Sequence, residues 1–137
     1  MASILVVDDD PTLRAVASEL LRGSGHAIIE AEDGDEALKI IGAVPVDLVV
    51  LDMLMPNKDG LEVLTAIRKR QARVPVLAIS SGGSLDAQYL LRCARAFGAS
   101  EVMLKPLRAG AFESAVSRLI EGVDHSMPSS GAFSLSA

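Results

Sequence analysis

Short apolar runs alternate along this chain with longer stretches in which apolar residues return every three or four positions. The first run, Ile4-Leu5-Val6-Val7 within Ser3 to Asp8, has no polar interruption, as expected of a strand buried on both faces. Asp10 then stands as a helix cap, with Pro11 in the first turn where a missing N–H costs nothing. Leu13, Val16, Ala17, Leu20 and Leu21 make the apolar face of that helix, and Gly23 and Gly25 end it. A second strand over Ala27 to Ala31 leads to a helix opened by Asp33-Gly34-Asp35 and carrying Ala37, Leu38, Ile40 and Ile41. The third strand, Asp47 to Asp52, precedes the polar turn Pro56-Asn57-Lys58-Asp59-Gly60. The helix from Leu61 to Arg70 has a basic end that suits the negative pole of its dipole. A fourth strand runs from Pro75 to Ser80, and a fourth helix from Leu85 to Phe97, stopped by Gly98. Glu101 to Leu104 forms the fifth strand, which Lys105-Pro106 breaks. The last helix carries Leu107, Ala111, Phe112, Ala115, Val116, Leu119 and Ile120.

Alternation of this kind predicts an α/β, doubly wound (βα)5 domain over residues 1–121, with right-handed crossovers. The flavodoxin-like strand order 2-1-3-4-5 puts the first and third strands of the parallel sheet side by side, where the winding reverses. From Gly122 onward the chain is rich in Ser, Gly, Ala and Pro and has no period, so residues 122–137 read as a flexible tail.

Composition narrows the options. At 137 residues the chain can bury one core without staples. Half of the residues are hydrophobic but only 3% aromatic, so that core is aliphatic. A net charge of −5 argues against direct nucleic-acid binding, which needs a basic footprint. The single cysteine, Cys93, excludes an internal disulfide and fits a reducing, cytoplasmic setting. No signal peptide or 18-residue apolar run predicts membrane insertion.

The candidate chemistry lies at the strand ends. Asp8, Asp9 and Asp10 follow the first strand, and Asp52 ends the third. In a parallel sheet these carboxylates converge on one edge, where like charges raise each other's pKa unless a cation compensates. A hard, oxygen-seeking ion such as Mg2+ answers that need. Ser80 ends the fourth strand, and Lys105 follows the fifth.

An acid pair, a lone acid, a hydroxyl and a lysine, in that chain order, closely resemble the receiver domain of two-component response regulators. The stretches that carry the resemblance are Leu5-Val6-Val7-Asp8-Asp9-Asp10-Pro11, Asp52-Met53-Leu54-Met55-Pro56-Asn57-Lys58-Asp59-Gly60, Ala78-Ile79-Ser80-Ser81 and Leu104-Lys105-Pro106, within residues 3 to 121. The resemblance implies that Asp52 accepts a phosphoryl group from a sensor histidine kinase or a histidine phosphotransfer protein. It implies that Asp9 and Asp52 bind Mg2+ directly, Asp8 mostly through water, and Leu54 through its backbone carbonyl. Lys105 would pair with Asp52 at rest and with a phosphoryl oxygen afterwards, and Ser80 would donate a hydrogen bond to another. Such a protein is not a turnover enzyme. Its own chemistry is limited to self-phosphorylation and autodephosphorylation.

Two positions depart from the family's habit. Val102 stands where relatives carry an aromatic switch, and a stiff valine without a polar tip cannot report by swinging. Readout is then expected from Ser81-Gly82-Gly83 and the start of the fourth helix, with a partner surface over the fourth helix, fifth strand and fifth helix that includes Arg92, Arg95 and Arg108. Leu54 and Gly82 occupy the positions that tune dephosphorylation, and neither can orient water through a side chain, so the phosphoryl state is not hurried along. With no effector-like segment after the fifth helix, a single-domain regulator acting on a downstream protein, or as a relay intermediate, is the expected form.

Two competing readings use the same residues. Asp8-Asp9-Asp10-Pro11-Thr12 satisfies the opening Asp-x-Asp-x-Thr pattern of haloacid-dehalogenase-like phosphatases, with Asp8 as nucleophile and Asp10 as acid/base. That reading lacks an acidic pair after Lys105 and leaves Asp52 without a purpose. A receiver-shaped module that is never phosphorylated would have no reason to bear the electrostatic cost of the full acid, hydroxyl and lysine set.

Overall fold

Why both faces of the central strands are apolar becomes plain from the architecture. The computed structural model describes residues 2–55, 60–70, 73–81 and 85–125. Its elements run β1 (Ser3–Val7), α1 (Pro11–Gly23), β2 (Ala27–Ala31), α2 (Gly34–Ala43), β3 (Leu48–Asp52), α3 (Gly60–Arg70), β4 (Val76–Ser81), α4 (Leu85–Ala96), β5 (Glu101–Lys105) and α5 (Ala109–His125). All pairings are parallel, and the sheet order is β2-β1-β3-β4-β5, as expected.

Side chains alternate across the sheet into two cores. Leu5, Val7, Val49, Leu51, Val76 and Ala78 pack with residues of α2, α3 and α4. Ile4, Val6, Leu48, Val50, Leu77 and Ile79 pack with Ala17 and Leu21 of α1 and with Phe112, Ala115 and Val116 of α5. Burying each such Leu or Ile contributes about 1.5–3 kcal/mol. Because both faces are apolar, alternation alone would tolerate a one-residue slip of β1 or β3. The slip is opposed instead by the strand ends, since it would draw Asp8 or Asp52 deeper among aliphatic side chains.

Local signals place most boundaries. The Asp10 side chain accepts from the Thr12 N–H (2.9 Å) and caps α1, with Pro11 as its first residue. Asp33 caps α2 by accepting from the Glu36 N–H (2.8 Å). Asp47, expected to begin the third strand, lies before it and accepts from the Ser3 N–H through its side chain (2.8 Å). The buried face of α1 also differs from expectation: Val16 is 45% exposed, whereas Ser18 is buried beside Ala17 and Leu21. A single residue step turns a helix by about 100°, which carries Val16 off the narrow stripe that meets the sheet. The fifth helix runs to His125, so the tail does not begin at Gly122 as the composition suggested. Helical hydrogen bonding continues through Gly122 despite its low propensity. The expected turn at residues 56–59, the glycine pair Gly82-Gly83 and the remainder of the tail lie outside the described residues.

Gly60, the first residue of α3, donates its N–H to the Met53 carbonyl (3.1 Å). A Cβ there would fall on the Met53 backbone and within 2.8 Å of its Sδ. Glycine therefore lets α3 begin directly against the segment that follows Asp52.

Candidate functional site

Parallel pairing brings the carboxyl ends of four strands to one edge. Val7 is level with Leu51, Asp52 with Ile79, and Ser81 with Lys105. Asp8 therefore emerges beside Asp52, with Ser80 and Lys105 on the next strands along. Asp8 is fully buried, Asp52 is 2% exposed, and Asp9 is exposed. One carboxylate oxygen from each of Asp8, Asp9 and Asp52 lies within 4.8 Å of the others, a spacing that can hold a metal ion.

Hydrogen bonds fix the first two acids differently. The Asp8 N–H donates to the Ala31 carbonyl (3.1 Å), and Asp8 Oδ1 accepts from the Asp10 N–H (2.8 Å). Asp52 Oδ1 accepts from the Leu54 N–H (3.3 Å). Lys105 Nζ stands 3.1 Å from Asp8 Oδ2 and 3.6 Å from Asp52 Oδ1. The resting pairing expected between Lys105 and Asp52 is therefore shared, and the nearer partner is Asp8.

Burial is the main cause that pushes the Asp52 carboxyl up to about 7, helped by the neighbouring Asp8 carboxylate. Lys105 and the Leu54 amide oppose the rise, and Asp9 adds to it. At this edge two buried oxygens have no hydrogen-bond partner among the described residues: Asp8 Oδ2, which has only the charge contact with Lys105, and the Ser80 hydroxyl. Three converging carboxylates, one with an unsatisfied oxygen, make a hard-oxygen donor set that fits Mg2+. The Leu54 side chain is 64% exposed beside this site.

Arg14 escaped the sequence reading. Its Nη1 donates to the backbone carbonyl of Asp8 (2.7 Å). A lone arginine inside an amphipathic helix carries no motif, and only the packing of α1 against β1 brings it to the acids. Conversely, Asp10 serves as the α1 cap, which removes the acid/base that a dehalogenase-like reading requires. Arg92 and Arg95 are exposed and line a groove of about 410 Å3 between α4 and β5, together with Gln88, Leu91, Val102 and Leu104. The Arg92 guanidinium lies 5.9 Å from the centre of the Tyr89 ring, and Tyr89 is 63% exposed.

Known proteins resemble this chain in sequence and in fold. The family described as "Response regulator receiver domain" matches residues 4–117. Among curated relatives, the alkaline phosphatase synthesis transcriptional regulatory protein PhoP of Bacillus subtilis is 32% identical over 127 residues, covering 93% of this chain and 52% of that protein. CpxR of Escherichia coli is 35% identical over 106 residues, covering 77% of this chain and 44% of that protein. This chain thus spans about half the length, or less, of these relatives. Of solved structures, a response regulator receiver domain protein from Clostridium thermocellum superposes with a TM-score of 0.84 at 29% identity, covering 93% of this chain and all of that one (100%). TrrA from Thermotoga maritima, solved in complex with Mg2+–BeF, gives a TM-score of 0.78 at 34% identity over 87% of this chain and 99% of that one. Family match, fold and strand-edge chemistry agree: this chain belongs to the response regulator receiver domain family.

Proposed function

We propose that Asp52 is a phosphoacceptor, taking a phosphoryl group in a Mg2+-dependent reaction from the phosphohistidine of a sensor histidine kinase or histidine phosphotransfer protein. An Asp52 oxygen attacks phosphorus as the bond to the donor nitrogen breaks. The nitrogen leaves with the electron pair and the acyl phosphate forms on Asp52. Carboxylates are modest nucleophiles, so the protein's share is alignment and charge neutralisation. Bound Mg2+ would neutralise charge on the transferring oxygens. It would be held by Asp9, Asp52 and the Leu54 backbone carbonyl, with Asp8 acting largely through water. Lys105 takes one phosphoryl oxygen, and the Ser80 hydroxyl, which has no hydrogen-bond partner among the described residues, donates to another.

The observation that carries this reading is the convergence on one sheet edge of three carboxylates, Lys105 and a buried Ser80 hydroxyl without a partner among the described residues. TrrA, solved with Mg2+–BeF, supports the choice of ion and of phosphoryl chemistry by relationship. The receiver unit runs through α5, and its output is protein contact, whether with a separate target or with another part of a longer polypeptide. A net charge of −5 supports protein rather than nucleic acid as the immediate partner.

Acetyl phosphate with Mg2+ tests the assignment. One acid-stable, base-labile phosphoryl group per chain is expected, absent in Asp52→Asn, whose fold should persist because the change is nearly isosteric. Labelling that survives Asp52→Asn but is lost in Asp8→Asn would overturn the reading in favour of an Asp8 nucleophile.

A further inference from the structure

Asp8 is held through its N–H, its Oδ1 and its ion pair with Lys105, whereas the Asp9 carboxylate is exposed and has no hydrogen bond from any described residue. The direction of Asp9 therefore depends on its two flanking peptides: the following one donates its N–H to Asp8 Oδ1, and α1 holds the one that precedes it. That peptide's carbonyl is the Asp8 carbonyl, and it accepts from Arg14 Nη1 at 2.7 Å. The same guanidinium donates through Nε to Glu30 Oε1 of β2 at 3.2 Å, and the other Glu30 oxygen faces Arg22 Nη2 at 4.0 Å. The Arg14 side chain is only 16% exposed, so solvent competes weakly for its bond to the Asp8 carbonyl, whereas the bond to Glu30 lies nearer the surface. A planar fork can satisfy the carbonyl and the carboxylate at once in a fixed geometry, which a lysine's point charge cannot.

We propose that Arg14, oriented by Glu30, is a positioning residue that aims the Asp8–Asp9 peptide and so presets the Asp9 carboxylate for the divalent cation. This rests on the Mg2+ reading above. The role is separable from simple electrostatics because the two predict opposite signs. A guanidinium beside a cation site repels the cation, so its charge alone predicts tighter Mg2+ binding when Arg14 is removed. Loss of aim predicts weaker binding, since groups that orient metal ligands commonly change affinity by about 10–100-fold when removed.

The experiment is a Mg2+ titration of the whole chain, followed by the backbone amide shifts of Asp9 and Asp10, for wild type, Arg14→Met and Arg14→Lys. Arg14→Met is expected to bind Mg2+ about tenfold more weakly. Arg14→Lys, which keeps the charge and loses the fork, is expected to be weakened too. It also provides the answer if Arg14→Met fails to fold. Tighter binding in Arg14→Met, or wild-type affinity in Arg14→Lys, overturns the positioning role while leaving the phosphoacceptor reading intact. A wild-type chain with no Mg2+ response at these amides overturns both.

Discussion

Lys105 lies closer to Asp8 than to Asp52, 3.1 Å against 3.6 Å, and so bridges two carboxylates at rest. The bridge joins β5 to the ends of β1 and β3, and it leaves the Lys105 ammonium beside the carboxylate proposed as the phosphoacceptor. The lysine side chain is 19% exposed, so its charge is only partly screened. Lys105 is one of the two groups that hold the Asp52 carboxyl down against burial and Asp8.

Replacing Lys105 by Met should therefore raise the Asp52 pKa above its value of about 7 in the intact protein. A side-chain carboxyl titration by NMR reads this directly, and an unmoved Asp52 would deny the coupling. The initial rate of labelling by acetyl phosphate at saturating Mg2+ should fall by about 10²-fold, the usual cost of one lost electrostatic donor.

Stability should depend on pH with a sign opposite to that of most carboxylates. Asp52 is raised from 3.8 to about 7, so the folded chain holds its proton where the unfolded chain has released it. Its contribution is thus fully present below about pH 4 and lost as pH rises through about 7 in Mg2+-free buffer. Asp52→Asn removes that loss. At pH 8 without Mg2+ the variant should be more stable than wild type by about 1–3 kcal/mol, with the gap closing near pH 4. Denaturant midpoints across this range test it, and a wild type more stable at pH 8 would contradict it.

Mg2+ should reverse that penalty. A ligand binding only the folded state stabilises by about 1.4 kcal/mol at ten times its dissociation constant. Millimolar Mg2+ should accordingly raise the melting temperature of wild type, and Asp9→Asn should lose most of the gain. Equal shifts in both proteins would remove Asp9 from the ion's ligands.

Phosphorylation is expected to be read on the face formed by α4, β5 and α5. Arg92, Arg95 and Arg108 are exposed there, and Val102 lines the groove without an aromatic ring to swing. Ser80, penultimate in β4, would draw the following segment inward when it bonds the phosphoryl oxygen. Amide shifts recorded with and without Mg2+–BeF should be largest over residues 80–90. Changes confined to α1 would point to a relay that only passes the phosphoryl group on.

Periodicity and local chemistry carried most of the fold. The uninterrupted run Ile4-Leu5-Val6-Val7, the caps Asp10 and Asp33 and the terminator Gly98 act over a few residues, so their effects are legible without the rest of the chain. The same holds for the strand-end acids, because parallel strands of known order must bring their carboxyl ends to one edge. Other features depend on long-range packing. The exposure of Val16 and burial of Ser18 reflect how α1 sits on the sheet, and the extension of α5 to His125 runs against its composition. The preference of Lys105 for Asp8 depends on sub-ångström differences across three strands. The grip of Arg14 on the Asp8 carbonyl joins residues six apart in sequence, with Glu30 sixteen further on. Which chemical groups reach the edge was legible along the chain, since that follows from strand order and apolar period. Which of them touch emerged with the packed fold, because contact is set by helix docking and side-chain reach that no local pattern encodes.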